Sequence, residues 1–138
     1  MISPFHLAIP VTDLDASRIF YGEHIGCEKG RSSERWIDWN FYGHQLVTHL
    51  VDDKTSASNA NEVDSKSVPV PHFGLVLPKE EWQALAIRLE QAGNSFHISP
   101  YIRFKGELGE QGTFFLFDPS GNALEFKYFE DMSNLFAS

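Results

Sequence analysis

Apolar and polar positions alternate along the chain in an order that occurs twice. An apolar strand is predicted at 4–11, followed by apolar residues at helical spacing that end at Gly26 and by three further strands that end at residue 51. A second apolar strand at 70–77 is followed by a helix over 78–93 and by three strands that end at residue 129. The pattern therefore predicts two copies of a strand, helix and three-strand unit.

The segment between the two copies has a different composition. Residues 52–69 are rich in Ser, Asn and Asp and contain almost no large apolar side chain. This composition is typical of an exposed linker. We therefore expect one domain over 1–138, with unit one at 1–51, the linker at 52–69 and unit two at 70–138.

A histidine occupies the same place in both predicted units. His6 precedes Gly26 by 20 residues and His72 precedes Gly93 by 21, and each histidine lies in the strand before the helix. Units of this size cannot bury a sheet face alone, so two copies are expected to pack together around a cleft. The fold class that follows is α+β, with two paired βαβββ units.

Composition and charge narrow the possible partners. The chain of 138 residues is 42% hydrophobic, enough for one core, and its formal net charge is -8 without any run of basic residues. Nucleic acid and membranes are therefore not expected partners. The single cysteine, Cys27, excludes an intrachain disulfide, and the N-terminus lacks a basic signal region. A cytoplasmic location is expected.

Three motifs in order resemble a known superfamily. They are FHLAIPVTDLDASRIFYGEHIGC at the start, PHFGLVL in the middle and FDPSGNALEFKYF at the end. Together they resemble the vicinal oxygen chelate superfamily, which includes glyoxalase I, bleomycin-resistance proteins, fosfomycin-resistance proteins and extradiol dioxygenases. The resemblance implies an open barrel of paired βαβββ units around a divalent metal, a small-molecule substrate and a homodimer.

The resemblance also implies a set of metal ligands. Carried over position by position, the ligands fall on His6, His72 and Glu125. A metal would explain why the carboxylate of Glu125 stands in an otherwise apolar strand, because an unpaired buried charge is costly. A structural ion pair with Lys127 is the alternative explanation. Two histidines and one carboxylate suit Fe(II), and Zn, Mn or Ni are the alternatives.

The corner of unit one that matches Glu125 carries no carboxylate. When Gly43 is aligned with Gly121, Glu125 corresponds to Val47, whereas glyoxalase I usually has a fourth ligand there. Gln45 and His49 lie on the same strand face as Val47. His49 is interpreted either as an extra ligand or as a catalytic acid or base, and Gln45 as a substrate-binding residue.

A polar stretch at 101–111 holds two further candidates. The guanidinium of Arg103 offers a planar fork for a carboxylate or enolate of the substrate, and the hydroxyl of Tyr101 can move a proton. The alternative is a solvated hairpin with ordinary surface charges.

Four functions fit these residues. The first is dioxygenase-like chemistry on a substrate that chelates the metal through adjacent oxygens. The others are a lyase or isomerase similar to glyoxalase I, a thiol transferase acting on an antibiotic epoxide, and a metal-free drug-binding protein. Metal content separates the last function from the other three.

Overall fold

The structure, a computed structural model, describes residues 2–52 and 59–138. These residues form two compact units, the first with 2–52 and 118–122 and the second with 59–117 and 123–138. None of the helices in the described part of the chain is long and apolar enough to cross a membrane.

Unit one is a four-stranded mixed sheet with one helical segment. Its strands are β1 (His6–Val11), β2 (Glu28–Ser32), β3 (Trp36–Phe41) and β4 (His44–Leu50). The order is β1-β4-β3-β2, with β1 parallel to β4 and the other neighbours antiparallel. Alternate residues of β3 are buried, as the apolar spacing predicts, and Ile37, Trp39 and Phe41 contribute to the core.

The helical segment of unit one differs from the single helix that the sequence predicts. Helix α1 (Leu14–Ser17) is capped by the side chain of Asp13 and continues as a π-helix over Arg18–His24. Two consecutive aromatic residues of this π-helix, Phe20 and Tyr21, are buried at 2% and 0% exposure.

The turn 118–122 packs within unit one through Asp118. The carboxylate of this residue accepts hydrogen bonds from the N–H groups of Ser120 and Asn122 and from the buried hydroxyl of Tyr21, at 2.9, 2.8 and 2.7 Å. Burial, and then the charge of Asp118, raises the pKa of Tyr21 well above its ordinary value. The Asp-Pro-Ser-Gly-Asn turn therefore has a structural role, because hydrogen bonds to Asp118 hold its conformation.

Part of the predicted linker is a β-hairpin. Strands β5 (Asn59–Val63) and β6 (Lys66–Val70) pair antiparallel, and both turn residues, Asp64 and Ser65, have positive φ angles of 50° and 62°. Two positive φ values in a two-residue loop define the turn that matches strand twist. The segment interpreted as a linker at 52–69 thus contains a hairpin over 59–69, whereas 53–58 lie outside the described residues and the domain boundaries stay a prediction.

Unit two repeats the topology of unit one. Its remaining elements are β7 (Phe73–Val76), α2 (Lys79–Gln91), β8 (Ile98–Arg103), β9 (Gln111–Phe117), β10 (Ala123–Phe129) and a terminal 3-10 turn (Met132–Phe136). The sheet order is β7-β10-β9-β8, with β7 parallel to β10. The two βαβββ units that the sequence predicts are confirmed, and β8 extends to Arg103, into the polar stretch at 101–111.

A buried carboxylate closes the loop between β8 and β9. Glu110 accepts hydrogen bonds from the Gly106 N–H, the Lys79 ammonium and the Tyr128 hydroxyl, at 2.8, 3.0 and 2.9 Å. These three donors, the backbone N–H foremost, lower the pKa of Glu110 to about 2. The charges of this part of 101–111 are thus structural.

Candidate metal and substrate site

The strand register gives both units the same framework. In unit one Ala8 of β1 is paired with Val47 of β4, and in unit two Gly74 of β7 is paired with Glu125 of β10. Val47 and Glu125 therefore occupy equivalent positions, as the glycine alignment predicts. A Cβ on Gly74 would clash with the Glu125 carbonyl oxygen, so glycine is required for this close approach.

The carboxylate of Glu125 is held between two side chains of unit two. Thr113 donates a hydrogen bond of 2.6 Å to Glu125 Oε2, and His72 Nε2 lies 3.1 Å from Glu125 Oε1. The Glu125 side chain is 15% exposed. Lys127 forms no ion pair with Glu125, so the structural pairing weighed from the sequence is not observed.

The hydrogen bond at the other ring nitrogen of His72, Nδ1, determines which nitrogen carries a proton in the neutral ring. Nδ1 lies 2.7 Å from the carbonyl oxygen of Pro69, which only accepts hydrogen bonds, so Nδ1 carries a proton. In the neutral ring Nε2 then presents a lone pair to the carboxylate of Glu125. Two electron-rich atoms at this distance are favourable only with a proton or a cation beside them.

The donors fit a metal ion. Two ligands about 2.1 Å from an ion and at right angles to each other lie about 3.0 Å apart. The Nε2–Oε1 distance of 3.1 Å matches that separation. A hydrogen bond from the second ring nitrogen to a carbonyl is also the usual support of a metal-ligating histidine.

His6 has a similar support in unit one. Its Nδ1 lies 2.8 Å from Gln45 Oε1, so the amide oxygen holds one ring nitrogen and leaves Nε2 available. The structure thus places Gln45 against His6, where it orients the ring. Val47, the apolar counterpart of Glu125, is 5% exposed.

A cavity of about 180 Å³ opens beside His72 and Glu125 within unit two. Valines of the hairpin and aromatic and aliphatic residues of the sheet form its apolar wall. Its polar wall contains Tyr101 and Arg103 of β8, which the sequence predicts as site residues. The lining residues are Val63, Val68, His72, Ile98, Tyr101, Arg103, Gln111, Gly112, Thr113, Phe115, Glu125 and Lys127. Such a mixture of apolar and convergent polar groups is typical of a small-molecule site.

Tyr101 and Arg103 reach the cavity but contact a carboxylate of the chain itself. Arg103 Nε lies 2.8 Å from Asp64 Oδ2 in the hairpin turn, and the Tyr101 hydroxyl donates to the same oxygen at 3.1 Å. Burial, followed by the hydrogen bond to Asp64, raises the pKa of Tyr101. Tyr101 therefore stays protonated near neutral pH and acts as a donor.

The family follows from comparison of the whole sequence with known families. Residues 3–126 match the model of the Glyoxalase/Bleomycin resistance protein/Dioxygenase superfamily. The chain belongs to this superfamily. A comparison with curated proteins gives no significant match.

Solved structures agree with membership of the superfamily. A glyoxalase/bleomycin resistance protein/dioxygenase from Alicyclobacillus acidocaldarius is 36% identical over 97% of this chain and 96% of its own, with a TM-score of 0.78. A lactoylglutathione lyase from Agrobacterium tumefaciens is 18% identical over 100% and 98%, with a TM-score of 0.67. The fosfomycin resistance protein FosX from Listeria monocytogenes is also 18% identical, over 93% and 94%, with a TM-score of 0.67. The last two share the superfamily fold.

The structure brings together part of the predicted site. His72 and Glu125 are in contact, and Tyr101 and Arg103 line the same cavity. His49 is exposed on β4 of unit one and does not line this cavity. Residues 2–52 and 59–138 contain no group of three or more His, Cys, Asp or Glu side chains arranged to hold a metal ion. The convergence of His6 with His72 and Glu125 stays a prediction.

Three residues around this candidate site were missed from the sequence. Thr113 is paired with Lys127 in the β9–β10 register and is therefore diagonal to Glu125, so strand alternation in the two strands carried a signal for it. The carbonyl of Pro69 and the carboxylate of Asp64 lie in the hairpin that was interpreted as a linker. Both roles depend on the hairpin, which the polar composition of this segment did not predict.

Proposed function

We propose that this protein is a metal-dependent enzyme whose substrate chelates the metal through two adjacent oxygens, with dioxygenase-like chemistry. His72 and Glu125, with His6 as a third ligand, would hold Fe(II), and Zn, Mn or Ni are the alternatives. The observation that carries the proposal is the His72–Glu125 contact of 3.1 Å, in which the Pro69 carbonyl accepts from Nδ1 and Nε2 faces the carboxylate. Such an ion supplies Lewis acidity and, if redox-active, electron transfer to dioxygen.

The side chains around the proposed ligands have positioning roles. Thr113 fixes one oxygen of Glu125 so that the other faces His72. Pro69 fixes the His72 ring and Gln45 fixes the His6 ring. Tyr101, with its raised pKa, is suited to donate a hydrogen bond or a proton to a substrate oxygen and not to act as a base.

Val47 disfavours a lyase like glyoxalase I, because the fourth-ligand position is a buried valine. His49 remains the proposed acid or base from unit one. The small-molecule substrate, a homodimer and a cytoplasmic location belong to the same proposal, and Cys27 is buried.

Metal stoichiometry tests the proposal directly. Protein purified without chelators is loaded anaerobically with Fe(II), and in parallel with Mn, Ni and Zn, and bound metal is measured by mass spectrometry. The wild type is expected to hold about one ion per chain. Glu125→Gln and His72→Ala are expected to reduce metal affinity by about 100-fold, and His6→Ala by at least 10-fold.

Glu107→Gln is the matched control, because Glu107 is an exposed carboxylate of unit two outside the cavity. It should leave metal content unchanged. Wild-type protein without metal under all four loadings would contradict the proposal and favour a metal-free binding protein. Normal affinity in His6→Ala alone would remove only the third ligand.

A further inference from the structure

We propose that Lys127 forms an anion subsite in the cavity of unit two and that the substrate carries a carboxylate beside its chelating oxygens. The inference rests on the proposed function, because it concerns a ligand of the same site. It names a substrate class that neither the family nor the ligand set specifies.

The charges around the cavity single out Lys127. Arg103 is neutralised by Asp64 at 2.8 Å, and Glu125 faces His72 and Thr113. Lys127 lines the cavity and makes no ion pair with any residue whose side chain the structure describes, in 2–52 and 63–138. Among these residues it is thus a cation without an ion-pair partner on the wall of a partly apolar cavity, where an anion is attracted.

The geometry places this cation next to the proposed metal ligand. Lys127 follows Glu125 by two residues on β10 and therefore extends from the same sheet face. Its register partner in β9 is Thr113, the donor to Glu125. The Lys127 ammonium lies 5.3 Å from the centre of the Phe129 ring, a cation–π contact that brings no anionic group to the ammonium. A ligand with both groups could therefore contact the metal position and Lys127 together.

Two pairs of probes measure the subsite by calorimetry. Fe(II)-loaded protein is titrated under anaerobic conditions with 3,4-dihydroxybenzoate and with catechol, which differ by one carboxylate. Metal-free protein is titrated with benzoate and benzamide, which report the cation without chelation. A charge-assisted hydrogen bond predicts that the wild type binds the anionic probe about 10- to 100-fold more tightly in each pair.

Lys127→Gln is expected to reduce this preference to less than about 3-fold, while Lys127→Arg retains most of it. Lys105→Gln makes the same charge change at an exposed position outside the cavity and should leave the preference unchanged. Metal content and melting temperature are measured for each variant. A purely structural lysine would lower the melting temperature of Lys127→Gln without changing the preference.

An unchanged preference in Lys127→Gln, or no preference in the wild type, would overturn the subsite. The two proposals fail separately. A wild type that binds no metal but prefers benzoate over benzamide would reject the metal and keep the subsite, whereas a metal-loaded wild type that binds both catechols equally would reject only the subsite.

Discussion

The β1–β4 pair of unit one and the β7–β10 pair of unit two share a parallel register but carry different chemistry. Ala8 is paired with Val47 in the first, and Gly74 with Glu125 in the second. Two positions further along the same strands, His49 corresponds to Lys127. The framework is thus symmetric, while the carboxylate, its threonine donor and the cation belong to unit two alone. The repeat predicts which positions can carry a functional residue. The side chains that donate hydrogen bonds at each position then determine its chemical role.

The largest expected effect comes from giving unit one the carboxylate of unit two. Val47→Glu places a charge at a site that is 5% exposed and directly opposite the carboxylate of Asp38 in the β3–β4 register. We expect the free energy of unfolding to fall by about 3 kcal/mol in metal-free protein, measured by urea denaturation. Val47→Leu is the apolar control. Equal stability of Val47→Glu and Val47→Leu would show that the corner is hydrated.

The close approach of β7 and β10 can be broken with one methyl group. Gly74→Ala brings a Cβ into the Glu125 carbonyl, so we expect a loss of about 2 kcal/mol in stability and weaker metal binding. Ala8→Gly, at the equivalent position of unit one, should cost about 0.5–1 kcal/mol through backbone entropy and leave metal binding unchanged. Comparable metal affinities in the two variants would contradict the difference between the two strand pairs.

Removal of the hydrogen bond from Thr113 tests the same comparison with a smaller expected loss of stability. Thr113→Val keeps the shape of the side chain but removes the donor to Glu125, so we expect about 10-fold weaker metal binding and about 1 kcal/mol less stability. Thr48 is a buried threonine of unit one that accepts from Trp39, and Thr48→Val should affect stability alone. Metal titration of both variants checks this difference.

The smallest expected difference between the units is in the sensitivity of their stability to acid. The pKa of Glu110 in unit two is lowered from 4.5 to about 2, so its stabilising contribution is complete above pH 4.5 and is lost as the pH falls towards 2. Glu110→Gln should therefore flatten the fall in stability over that range, measured by unfolding at a series of pH values. Glu107→Gln should follow the wild-type curve, and parallel curves for all three proteins would contradict the lowered pKa.

Sequence patterns predicted the framework better than the contacts. Apolar spacing and the positions of His6 and His72 predict both βαβββ units, since each strand and helix buries its own regular face. The hairpin over 59–70 was missed because its polar residues are held by distant anchors, such as the His97 ring against the Ser67 carbonyl at 2.9 Å. The contact of Gln45 with His6 was missed, because strand alternation predicts which face a side chain occupies and not which side chain it contacts. The substrate-binding role of Gln45 stays a prediction.

The hairpin turn has a consequence for any ligand that approaches Arg103. Asp64 is tethered to the same unit, so its carboxylate is present at a local concentration on the millimolar scale typical of short tethers. An anion from solution that binds Arg103 Nε or the Tyr101 hydroxyl competes with this tethered carboxylate. The chain thus acts as a competitor for its own position, and an anion at micromolar concentration is at a disadvantage there.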